Sequence, residues 1–140
     1  MSTIRENILA RLKSTTLVAI PGVTKVYRSR ADKFGLSDAP ALNVLADNEQ
    51  PSENAIGKVD ADLHVEVQVY HRGTEPDRLA DPVVAAVHAA MMADTTLGGL
   101  AFDVTEDGTS WDFDEADGTA LIVRMRYIVR YRHNRNSLTT

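Results

Sequence analysis

Between Leu121 and Arg132 the sequence alternates residue by residue, at the period of an extended strand. Leu121, Val123, Met125, Tyr127, Val129 and Tyr131 fall on one face, and Arg124, Arg126, Ile128, Arg130 and Arg132 on the other. The segment Asp60 to Arg72 repeats the pattern: Leu63, Val65, Val67 and Val69 alternate with His64, Glu66, Gln68 and Tyr70. Strands of this kind belong in an antiparallel sheet with one covered, aliphatic face and one polar face.

Two stretches have the spacing of helices that could supply the cover. Ile4, Ile8, Leu9 and Leu12 form one stripe, with Arg5, Arg11 and Lys13 off it. Ser2 or Thr3 can cap this helix, and Glu6 stands where the capping-box partner of Thr3 belongs. Pro21-Gly22 ends the region. The second helix is expected from Glu75 to Ala93, with Leu79, Val83, Val87 and Met91 on one face and Val84 beside them. Thr74 or Asp77 can cap it, and Pro76 is tolerated in its first turn. Pro82 either kinks this helix or starts a second one capped by Asp81.

The rest of the chain reads as strands and loops. A short strand is expected from Val23 to Arg30, a polar loop from Ser29 to Pro40 and a buried strand from Ala41 to Ala46. A second polar loop follows from Asp47 to Gly57, holding Pro51 and Ser52. After Gly98-Gly99 a β-meander is expected. Its parts are a strand from Ala101 to Glu106, a tight turn at Asp107-Gly108, a return strand from Thr109 to Asp114, a turn at Asp117-Gly118 and the strand Thr119 to His133. Residues 133–140 are expected to form a frayed polar tail. The predicted order is α-β-β-β-α-β-β-β in one domain over residues 1–140. Its class is α+β: a two-layer sandwich with two helices on one face of a mixed, mostly antiparallel sheet.

Composition narrows the function. A chain of 140 residues can bury a real core without staples. It has no cysteine, which excludes disulfides and thiolate metal sites. No apolar run approaches a membrane span, and the charged N-terminus is unlike a signal peptide, so folding in a cytoplasm and no membrane partner are expected. The net charge of −5 argues against attraction of the whole molecule to nucleic acid. The charge is uneven: Asp103 to Asp117 holds seven acids and no base, whereas Arg124 to Arg135 holds five arginines and no acid.

Catalytic signals are missing. His64, His71, His88 and His133 are scattered over different elements without metal-ligand spacing, and no nucleophile elbow, P-loop or dinucleotide fingerprint occurs. Neither a cofactor nor a metal is expected. The acidic run has three readings: a solvated hairpin, a cation site, or acids lining a pore so that DNA slides past. The arginine face also has three. Arginines can pair across strands with Asp60, Asp62 and Glu66, meet a neighbouring subunit's acidic hairpin, or contact phosphate. Trp111 is either a core anchor for the second helix or an interface residue.

Several segments together resemble a known family. They are Ile20-Pro21-Gly22-Val23 with Val26-Tyr27-Arg28, and Pro40-Ala41-Leu42-Asn43-Val44. Then come His88-Ala89-Ala90 with Asp94, and Leu97-Gly98-Gly99-Leu100-Ala101 with Asp103-Val104. The strand end Tyr127-Ile128-Val129-Arg130-Tyr131-Arg132 completes the set. In this order, over Ile4 to Arg132, they resemble the tail terminators of long non-contractile phage tails, the lambda-type minor tail proteins. The resemblance implies a non-enzymatic α/β sandwich that forms a hexameric ring in the virion tail. The ring would cap the tail tube, stop its polymerisation and present a surface to the head connector, with DNA passing through the lumen.

On that basis the candidate subunit-interface residues are Arg124, Arg126, Arg130, Arg132, Asp112, Asp114 and Glu115. The candidate docking loops toward tube and connector carry Arg30, Lys33, Phe34, Asp47 and Glu49. The expected partners are further copies of the chain, the tail-tube protein and the head connector. Two alternatives stand beside the terminator: a neck or connector completion protein of the same fold, and a small-ligand-binding domain using the cleft between helix and sheet.

Overall fold

In the computed structural model the two alternating segments lie side by side as β3 (Lys58–Arg72) and β5 (Ala120–Asn134). They pair antiparallel in unbroken register from Lys58 opposite Asn134 to Arg72 opposite Ala120. The structure describes residues 2–23, 25–31, 34, 39–114 and 119–140. The other elements are α1 (Ile4–Arg11), β1 (Lys25–Arg28), β2 (Ala41–Ala55), α2 (Pro76–Ala93) and β4 (Asp103–Phe113). Five strands form one open sheet in the order β1-β2-β3-β5-β4, parallel only between β1 and β2. The class is α+β, as expected.

The alternation sorts the sheet as its period requires. Leu63, Val65, Val67 and Val69 meet Val129, Tyr127, Met125 and Val123, and all eight are buried under the helices. α1 contributes Ile8 and Leu9 to this core, and the π-helical turn after it, Leu12–Thr16, contributes Leu12. Thr3 caps α1, accepting the Glu6 N–H at 3.1 Å. Only half of the capping box forms, because the Glu6 carboxylate turns to Arg28 at 2.6 and 2.7 Å. Residues 135–140, expected to fray, run back to the N-terminus: the Leu138 carbonyl accepts the Ile4 N–H at 2.9 Å.

α2 is continuous through Pro82, so neither a second helix nor a new cap at Asp81 is found. Pro82 is exposed, which leaves the carbonyl four residues back near solvent rather than orphaned in the core. The buried stripe is Pro76, Ala80, Val83, Val87 and Met91. Leu79, expected in that stripe, is instead 46% exposed.

One expected loop and one expected turn are strand instead. Asp47 to Gly57 does not form a loop: β2 runs on to Ala55 and hairpins directly into β3 through Ile56 and Gly57, the latter at φ +81°. Beyond Val44, β2 has no partner on its other side among the described residues, and such an edge position tolerates Pro51. Asp107-Gly108 does not reverse the chain either. β4 is a single strand that pairs with β5 on both sides of that pair, with a bulge between Glu106 and Gly108. Gly108 takes φ +125° there, which a side chain would resist. Among the described residues the meander therefore has two strands, not three.

Candidate functional site

The register that buries the aliphatic residues sets the charged ones opposite each other on the second face. Asp60 faces Arg132, Asp62 faces Arg130 and Glu66 faces Arg126. The ion pairs follow: Arg132 to Asp60 at 2.7 Å, Arg130 to Asp62 at 3.3 Å and Arg126 to Glu66 at 3.4 Å. Arg124 reaches Glu66 at 3.1 Å and Asp112 of β4 at 3.0 Å. The cross-strand ladder is therefore the arrangement found for all four arginines. Each has a carboxylate of its own subunit, so a phosphate would have to displace one.

Glu66 is the hub. Its Oε2 accepts from Arg124 and also from Gln68 at 2.8 Å. Buried Asn43 donates to the Gln68 side chain at 3.2 Å and exchanges hydrogen bonds with the Arg30 backbone at 2.9 and 3.1 Å. Polar contacts thus cross from β2 through β3 and β5 to β4, and they satisfy side chains that burial would otherwise penalise. Burial works against the charge on Arg124. Hydrogen bonds to Asp112 and Glu66 and their charges outweigh it, so its pKa is raised. Hydrogen bonding to Asp60 likewise raises that of Arg132.

The residues expected on docking loops mostly turn inward. Phe34 stacks on Tyr70 at 4.7 Å between ring centres, and the Arg30 guanidinium lies 4.5 Å from the Tyr27 ring and 4.6 Å from that of Phe34. This cluster covers the corner of the second face around Ala41 and Ala120. Glu49 sits on β2, not on a loop. It accepts from the Tyr131 hydroxyl at 2.5 Å and lies 3.6 Å from Arg5, tying the sheet to α1. Asp47 is the residue bulged out of β2 between Ala46 and Asn48. Asp114 follows β4 and donates its N–H to Ala120 at 3.1 Å. Lys33 and Glu115 lie outside the described residues.

The core-anchor reading of Trp111 fails: it is 56% exposed on β4. Sequence reasoning also passed over the bulge. Asp107 stands there 3.4 Å from His64, which crosses from β3. His88, at the flank of α2, meets the Tyr127 hydroxyl at 3.0 Å. Burial first, and the charge of Glu106 second, push the Tyr127 phenol up to about 12. Among the described residues no cluster of three or more His, Asp or Glu could hold a metal ion. The acidic run is part of a strand there, with Asp112 committed to Arg124.

Comparison with known proteins agrees with this architecture. A family model described as phage minor tail protein U matches residues 1–131. Among solved structures, a chain from the virion of a native gene transfer agent particle superposes with a TM-score of 0.61 at 13% identity. The overlap covers 94% of this chain and 96% of that one, and at such identity it is a likeness of fold. No curated protein matches the sequence.

Proposed function

The chain belongs to the phage minor tail protein U family, a structural component of phage tails, and on that premise we propose that it works as a tail terminator. In this role six copies close into a ring on the end of the tail tube. The ring ends polymerisation and offers the surface to which the head connector joins, and DNA passes through its lumen. The protein is made in the host cytoplasm and ends in the virion. It works by shape and self-association, without bond-making at any side chain.

The observation that carries this is the family match across residues 1–131, nearly the whole described domain. The fold overlap with a virion chain over 94% of the sequence supports it. Adding the protein to polymerising tail-tube protein tests it. Short tubes with a ring at one tip are expected; tubes that grow on with bare tips overturn it. Pull-down against tail-tube protein and against connector protein separates a terminator from a connector completion protein, because a terminator must retain the tube.

A further inference from the structure

The helix layer does not cover the sheet evenly. Trp111 and Phe113 of β4 face the same side as Val123 and Leu121, their partners on β5. Val123 and Leu121 are buried, yet Trp111 and Phe113 stand 56% and 48% exposed, so the cover stops short of this corner. β4 is also the outermost strand, and one row of its backbone groups faces no strand of the sheet. Its charge has one sign: Asp103, Glu106, Asp107 and Asp112, with no Lys, Arg or His.

The opposite edge is its complement. Among the described residues β1 pairs only with β2; its Arg28 is held by Glu6 of α1, and the exposed Lys13 stands on the groove beside it. On the helix side of β1, Ala10, Lys13, Val18, Val26 and Arg28 line an open groove of about 740 Å³. That size lies in the range of pockets that take a drug-sized molecule, so an indole has room. Val18 within it is 63% exposed.

Setting β4 of one copy alongside β1 of the next continues the sheet and keeps the helices on one side throughout. The uncovered Trp111 and Phe113 then fall against the neighbour's α1–β1 groove, and the acidic β4 edge falls toward Lys13 on that groove. We infer, resting on the ring proposed above, that this is the subunit contact: the β4 edge of one copy docks on the β1 edge and groove of the next, with Trp111 in the groove. The contact is heterologous, the type that generates a ring where the rotation from one copy to the next closes.

The absence of cysteine makes the test clean, since introduced thiols are the only ones. Trp111→Cys and Val18→Cys are each made as single variants at exposed positions and treated with a short bis-maleimide at concentrations high enough that the variants themselves assemble. A mixture of the two is expected to give covalent dimers, while either alone gives none; the double variant should give a ladder of linked oligomers. Trp111→Ala should keep its fold and raise the concentration needed for assembly by about tenfold or more, as loss of a central interface aromatic does. Mixed variants that assemble and do not cross-link overturn this contact and leave the ring standing. Cross-linking of Trp111→Cys to itself overturns it too, because that requires a two-fold contact. A parent that never assembles overturns the ring and the contact together.

Discussion

Strands β3 and β5 show two faces one residue apart, and the two are held by different physics. On the helix side Leu63, Val65, Val67 and Val69 and their partners Val129, Tyr127, Met125 and Val123 are at most 3% exposed. On the other side the paired side chains of Asp60, Asp62, Glu66, Arg126, Arg130 and Arg132 keep from 14% to 47% of their surface. Removal of apolar surface from water stabilises the first face by about 25 cal/mol per Å². Each pair on the second is worth roughly 0.2–1 kcal/mol. The charged face adds little energy and much register, since a one-residue slip would expose the valines and break every ion pair at once. The ion pairs of the second face are also made within one subunit.

The sharpest way to break this contrast is Met125→Ala. Met125 is 3% exposed in the core, and the change should destabilise by about 2–5 kcal/mol in urea unfolding. A loss under about 1 kcal/mol would erase the distinction between the faces. On the charged face the largest effect belongs to the hub. Glu66→Ala strands Gln68 and one arm of Arg124 and should lose about 1–3 kcal/mol, while Glu66→Gln, which still accepts a hydrogen bond, recovers part of it. Arg132→Ala removes a half-exposed pair and should change stability less than Glu66→Ala does, by a difference that shrinks as salt is raised.

The smallest effect is in acid. Hydrogen bonding to Arg28 holds Glu6 below the usual carboxylate range, and hydrogen bonding to Arg11 does the same for Asp94. Folded, these groups bind protons less readily than the unfolded chain does. Their stabilisation is present above the ordinary carboxyl range and lost as pH falls through the lowered values. The urea midpoint should therefore drop below about pH 4, and Glu6→Gln with Asp94→Asn should flatten that slope.

The faces of β3 and β5 are legible because the two-residue period sets Asp60, Asp62 and Glu66 on one polar face and the arginines on another; which acid meets which arginine comes from the register. Where composition and pairing disagree, the sequence misleads. Residues 47–55 are polar on both sides because β2 is an edge strand there, and an edge strand is composed like a loop. Asp107-Gly108 carries the same signal for a hairpin turn as for a bulge. What decides between them is that Glu106 and Thr109 both find partners on β5. The core positions expected for Leu79 and, in one of its two readings, for Trp111 fail for a tertiary reason: where a helix lies on a sheet, and where its cover ends, is set by packing rather than by periodicity.

The central claim is self-association into a closed collar. The most direct measurement is the mass of the species formed by concentrated protein beside its tail tube, by analytical ultracentrifugation with negative-stain images of the same sample. The predicted result is a mass of six chains and a ring with an open centre. A single chain at every concentration, with no ring on any tube tip, would contradict it.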